Sequence, residues 1–150
     1  MPIHTLRSEQ FVDRPIEEVF AFFSDAGNLQ QITPDYLDFE ILTPRPIEMR
    51  PGILLDYRLK WHGLPLRWRT KILQWNPPHG FIDLQLKGPY KLWHHTHTFT
   101  RENGGTIVGD TVNYELPLGP LGEIAHAVMV KKDVATIFEF RRQQITRIFG

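Results

Sequence analysis

Hydrophobic and polar residues change rhythm twice along this chain. Ile3 to Val12 reads as a first strand. In the segment that follows, DRPIEEVFAFFSDAGNL, the apolar residues Ile16, Val19, Phe20 and Phe23 fall at helical spacing. Asp13 is a candidate cap, Pro15 suits the first turn, and Glu17 and Glu18 favour the positive end of the helix. Gly27 and Asn28 end or bend it, and a second short helix is expected over 28–32.

From there the period becomes two. A short strand is expected over 38–42, followed by an extended linker through Pro44, Pro46 and Pro51. Over 53–61, Ile53, Leu55, Tyr57, Leu59 and Trp61 face one way, and Asp56, Arg58 and Lys60 the other. His62-Gly63-Leu64-Pro65 reads as a turn. The next strand, 66–75, turns Leu66, Trp68, Thr70 and Ile72 to one side and Arg67, Arg69 and Lys71 to the other. In the strand 81–87, Phe81, Asp83 and Gln85 share one face and Ile82, Leu84 and Leu86 the other; the pattern leaves open which faces inward. Gly88-Pro89 marks a break.

The stretch WHHTHTF, residues 93–99, comes next, and Asn103-Gly104 follows it. Asn-Gly is the strongest short hairpin signal, and a two-residue turn fixes the register. Trp93 then opposes Tyr114, His95 opposes Val112, His97 opposes Asp110, and Phe99 opposes Val108. One face is apolar with His95, His97 and Asp110 set into it. The other is rich in threonine and carries His94 toward solvent. A slip by one residue would exchange the faces, so the register is strongly specified. PLGPLG, residues 117–122, reads as a loop. The segment 123–149 lacks Pro and Gly and reads as one long helix with the apolar stripe Ala127, Val130, Val134, Ile137 and Phe138. Lys131, Lys132, Arg141, Arg142 and Arg147 read as its solvated face.

Strands clustered ahead of a terminal helix define an α+β class, with 1–150 as a single domain. A curved antiparallel sheet of six to seven strands is expected to hold the long helix, with two short helices after the first strand. Composition adds the interior: ten Phe, four Trp and four Tyr either pack a dense core or line a cavity for an apolar ligand.

Charge and composition mainly exclude. The 17 basic and 17 acidic residues cancel, which argues against a nucleic-acid partner. The absence of cysteine removes disulfides and thiolate chemistry. No window reaches the roughly 18 apolar residues of a membrane span. The expectation is a cytoplasmic protein without stable membrane insertion. Serine lacks a nucleophile-elbow setting, and no glycine-rich phosphate loop is present.

The histidines are the candidate chemistry. Opposed residues lie close enough for His97 and Asp110 to bond. That pair can be a self-satisfied polar contact in a pocket wall, or a general base with its orienting carboxylate. His95, His97 and Asp110 together could present three metal ligands, but no further ligand at a recognisable spacing completes the set. Neither metal nor cofactor is expected.

RPIEEVFAFFSDAGNLQQIT resembles the opening of the START/Bet v 1-like superfamily, also called SRPBCC, with the match on Pro15, Glu17, Val19, Phe20, Asp25, Asn28 and Leu29. NPPHGFIDLQLKGPYKLWHHTHTF, GDTVNYELPLGPLG and the final helix extend the resemblance to a bacterial subgroup. It implies a helix-grip fold with a deep cavity that binds lipids, sterols or polyketide-like molecules. The ligand-contacting residues expected from the inward-facing positions are Tyr57, Trp61, Trp68, Trp93, His95 and His97. Phe99, Asp110, Tyr114, Val134 and Ile137 complete the set. The leading expectation is a binding or transport protein for a small hydrophobic molecule. The alternative is a polyketide cyclase/dehydratase-like enzyme using His97 and Asp110. A third reading is an interaction module serving a partner domain.

Overall fold

In the computed structural model, which describes residues 3–150, seven strands form one antiparallel sheet. They are β1 (His4–Val12), β2 (Glu40–Ile41), β3 (Leu54–Trp61), β4 (Leu64–Asn76), β5 (Gly80–Lys87), β6 (Leu92–Glu102) and β7 (Gly105–Glu115). Their order in space is β1-β7-β6-β5-β4-β3-β2, so the first strand closes beside the last. Helix α1 (Ile16–Ser24) and two 3₁₀ segments, Ala26–Ile32 and Asp35–Leu37, lie between β1 and β2. The final helix runs from Pro120 to Phe149 as α2 (Pro120–Ala125), a π turn (His126–Val130) and α3 (Lys131–Phe149). This is the helix-grip α+β architecture.

Helix α1 buries Ile16, Val19, Phe20 and Phe23, the stripe read from the sequence. Its N-cap position is Pro15, with no side-chain capping bond, so Asp13 does not cap it. Asp25 instead caps the following 3₁₀ segment, accepting from the Gly27 amide at 2.9 Å. The strand expected over 38–42 shrinks to two residues, because Asp38 adopts a left-handed conformation at the end of the second 3₁₀ turn. The β3–β4 turn is tighter than expected. His62 and Gly63 both have positive φ, and pairing continues through Leu64 and Pro65.

The β6–β7 hairpin has the expected register in full, from Glu102 opposite Gly105 to Trp93 opposite Tyr114. Asn103 and Gly104 take φ of 50° and 78°, the left-handed pair that matches the twist of the flanking strands. His94 lies on the outer face but is only half exposed, and its Nδ1 is covered.

The helix departs from expectation in two places. It begins at Pro120, inside the segment read as a loop, with proline at the first helical position where a missing N–H costs nothing. The π turn then shifts its phase. His126 is buried where the stripe placed Ala127, and Ala127 is exposed. Below the turn, Val134 and Ile145 face the sheet. Arg141 joins them, buried rather than solvated, because its guanidinium reaches Asp110 on β7. Two apolar clusters result. One joins α1 to β3, β4, β5 and the β6–β7 hairpin through residues such as Phe20, Phe23, Phe81 and Phe99. The other joins Val112, Tyr114 and Leu116 to Val130 and Val134.

A Cβ at Gly104 would meet no atom within 4 Å, so a substitution there tests backbone conformation alone. Gly104→Ala is expected to cost about 1–2 kcal/mol of stability, the usual penalty for a left-handed non-glycine residue. Urea denaturation at neutral pH measures it.

Candidate functional site

Between sheet and helix lies a cavity of about 410 Å³. Its wall is mostly apolar and aromatic because β3 and β4 turn their alternate residues inward: Leu55, Tyr57, Leu59 and Trp61 from one, Leu66, Trp68, Thr70 and Ile72 from the other. β5 contributes Phe81 and Asp83, which settles the face left open by its pattern. Trp93, His95 and His97 come from β6, and Ile137, Phe138 and Arg141 from α3. Leu118 and Leu121 line the cavity while remaining 76% and 68% exposed, so its mouth lies beside the start of the last helix.

Of the residues expected to contact a ligand, Tyr57, Trp61, Trp68, Trp93, His95, His97 and Ile137 line this cavity. Phe99 does not; it packs into the cluster of Phe20 and Phe23, with ring centroids at 5.3 and 5.4 Å. Tyr114 sits behind the wall and shares a 2.8 Å hydrogen bond between its hydroxyl and His126 Nε2. Val134 is fully packed against the second apolar cluster. Asp110 lies behind His95, between sheet and helix.

An ionic cluster occupies one part of the wall. His97 and Asp110 are opposed in register, yet His97 Nδ1 stands 3.6 Å from Asp110 Oδ1, and that nitrogen has no hydrogen-bond partner among the described residues. The bonded partners are exchanged. His97 Nε2 donates to Asp83 Oδ2 at 2.6 Å, across to β5. His95 Nε2 donates to Asp110 Oδ1 at 2.8 Å, a diagonal contact within the hairpin. The two imidazoles stack at 3.7 Å, and Phe81 stacks on His97 at 4.0 Å. Arg141 Nη2 donates to Asp110 at 3.2 Å, and its guanidinium stands over the rings of Phe23 and Phe138 at 5.1 and 6.0 Å.

Asp83 and Arg141 are the residues the sequence reading missed as site members. Arg141 falls seven positions after Val134 and three after Phe138, on the buried stripe. Its charge alone argued for the solvated side. Asp83 shares a strand face with Phe81, and that alternation was the available signal.

Burial raises the cost of every charge here, so the partners decide the ionisation. Desolvation alone would push Asp110 up. The Arg141 guanidinium and the His95 hydrogen bond outweigh it and hold the carboxyl well below the usual carboxylate range. Asp83 is lowered in the same way by His97, against its own burial. His97 is pushed down to about 4, first by burial and then by His95, although Asp83 and Asp110 pull the other way. The imidazole at the centre is therefore neutral near pH 7.

Two groups have metal-ligand chemistry: Asp83, His95 and His97 in the cavity wall, and His4, Glu123 and His126 between β1 and the helix. In each, the paired imidazoles stack, at 3.7 Å and 25° in the first and at 3.5 Å and 13° in the second. In each, one ring nitrogen is already hydrogen-bonded, His97 Nε2 to Asp83 and His126 Nε2 to the Tyr114 hydroxyl.

A curved antiparallel sheet closed on a long last helix, with an apolar cavity between them, is a helix-grip fold. The chain belongs to the family described as polyketide cyclase / dehydrase and lipid transport, which matches residues 12–139. A search among curated proteins found no match. Similar solved structures include TTHA0849 from Thermus thermophilus, 19% identical, with 98% of this chain and 100% of that chain covered at a TM-score of 0.71. CV1439 from Chromobacterium violaceum is 13% identical, with coverage of 97% and 96% and a TM-score of 0.74. Ara h 8.0201 is 15% identical, with coverage of 97% and 99% and a TM-score of 0.64. At such identities the likeness concerns the fold. Among the described residues, no helix is long and apolar enough to cross a membrane.

The ionic cluster has a consequence for stability. An unfolded histidine titrates near about 6.5, whereas His97 in the fold is held at about 4. Between those values the unfolded chain binds more protons, so stability falls as pH drops through that window. Below about pH 4 it falls further, because Asp83 and Asp110 must give up their charges. His97→Gln is expected to flatten the slope between about pH 6.5 and 4 and leave the acid limb; urea midpoints measured across pH give the comparison.

Proposed function

We propose that this protein binds and carries a small hydrophobic molecule, lipid-, sterol- or polyketide-like, in its internal cavity. The observation that carries the reading is the wall itself. A space of about 410 Å³ is lined by aromatic and aliphatic side chains, with one localised ionic cluster and a mouth framed by exposed leucines. That is the pattern of a ligand pocket: apolar area for affinity and a few polar groups for orientation. Transfer of ligand surface out of water contributes roughly 25 cal/mol per Å². The family description, which includes lipid transport, supports the same reading.

The hydroxyls of Tyr57 and Tyr90 fit this picture. Burial pushes both phenols up, so they serve as neutral hydrogen-bonding groups. Catalysis is not required by any of these features. A cyclase/dehydratase-like reaction has one observation in its favour, the 2.6 Å His97–Asp83 pair beside the cavity. In that reading Asp83, rather than Asp110, orients the imidazole as a general base.

A hydrophobic fluorescent dye is expected to bind the protein and to be displaced by apolar compounds, and native mass spectrometry of freshly purified protein should detect a small-molecule adduct. Ile137→Trp places a larger side chain in the cavity wall and is expected to weaken dye affinity about tenfold or more. A protein that neither binds dye nor carries an adduct would refute the carrier reading. Full turnover by His97→Ala on an identified substrate would remove the enzymatic one.

A further inference from the structure

The polar group that a ligand carries can be read from what the ionic cluster leaves unspent, a step that rests on the ligand-binding reading above. Asp110 is out of a ligand's reach: its Oδ1 accepts from both His95 and Arg141, and the residue does not line the cavity. Arg141 reaches the wall with its guanidinium over Phe23 and Phe138; Nη2 pairs with Asp110, and Nε, without a partner among the described residues, is covered.

Asp83 differs. It lines the cavity and keeps 17% of its side-chain surface accessible. Oδ2 is taken by His97 at 2.6 Å. Oδ1 has, among the described residues, only the Thr70 hydroxyl at 3.5 Å, and that hydroxyl lies closer to the Leu84 carbonyl oxygen, at 3.1 Å. A contact as long as 3.5 Å contributes little. The cavity therefore presents an anionic oxygen with unused accepting capacity.

The surroundings point the same way. Asp83 stands in a desolvated setting, where an opposite charge is worth far more than in water. The adjoining wall also favours a cation. Trp68, Tyr90 and Trp93 meet one another at 4.7 to 5.7 Å and line the cavity, and aromatic faces attract positive charge.

We propose that the polar end of the ligand is a protonated amine that pairs with Asp83, and that the cavity selects against carboxylates. An ammonium can donate to Oδ1 and bring an opposite charge to the carboxylate. An alcohol can donate but brings no charge. A carboxylate meets a like charge at the place where its own head would lie.

Three compounds with one apolar body separate these cases: octylamine, octan-1-ol and octanoate, each displacing a neutral hydrophobic dye from the full chain at neutral pH. The amine is expected to act at about tenfold lower concentration than the alcohol, as suits a hydrogen bond to a charged group. It is expected to act at about a hundredfold lower concentration than the carboxylate, which adds like-charge repulsion. Asp83→Asn should shrink the amine-to-alcohol ratio to about threefold or less, with near-UV circular dichroism confirming that the variant is folded. Octan-1-ol or octanoate equalling octylamine on the natural protein overturns the proposal, and that order is decisive even where the variant does not fold. An unchanged ratio in a folded Asp83→Asn overturns the role of Asp83. Dye binding with the wrong order refutes this inference alone, whereas no binding of dye or compounds removes the carrier reading and this inference with it.

Discussion

The ion pair between Arg141 and Asp110 joins the two halves of this molecule. It ties α3 to the middle of β7 within the buried part of the helix–sheet interface. Both groups are nearly buried, so neither tolerates loss of the other; removing one member of such a pair typically costs about 3–5 kcal/mol. The pair also sets the chemistry of the wall. Asp110, held ionised by Arg141, accepts from His95. His95 then stacks on His97 and helps to keep it neutral, and His97 donates to Asp83 at the cavity surface. A chain of contacts thus runs from the helix, through one carboxylate and two imidazoles, to the carboxylate that a ligand can reach.

The polar groups are concentrated while the rest of the wall is left apolar. Such an arrangement separates affinity from orientation. The aromatic side chains of β3, β4 and β6 offer area with little directional demand. The ionic cluster offers direction at one point. Each carboxylate has a partner before any ligand arrives, although His97 Nδ1 and Arg141 Nε have none among the described residues. The hydrogen bonds that are made stiffen a wall that aromatic packing alone would leave adaptable.

Local rules reach far into this fold and stop at identifiable points. Asn103-Gly104 fixes the β6–β7 register because a two-residue turn admits one pairing, and every opposed pair follows from it. The helix-grip architecture was legible through the family resemblance. The β5–β6 connection has no such turn. It passes through Gly88–Lys91, where Gln85 brackets the loop by accepting from the Tyr90 amide and donating to the Tyr90 carbonyl. The pairing of Phe81 with His97, and of Asp83 with His95, is therefore not readable from spacing. Opposition in register also differs from hydrogen bonding. Imidazoles are long enough to reach diagonally, and His97 bonds Asp83 instead of the Asp110 that faces it. Arg141 lies on the buried stripe, where periodicity is the better guide and residue type misleads.

The π turn at His126–Val130 separates two jobs done by one helix. Each residue of an α-helix advances by about 100°, so the wider turn resets the angular phase between what lies before it and what lies after. Upstream, Leu121, Gly122 and Ala125 frame the entrance; downstream, Ile137, Phe138 and Arg141 form the deep wall. Loss of a single residue within the turn would rotate one set against the other and swing the guanidinium away from β7. The entrance and the interior are thus geared to each other through a turn that carries none of the charged groups in the wall.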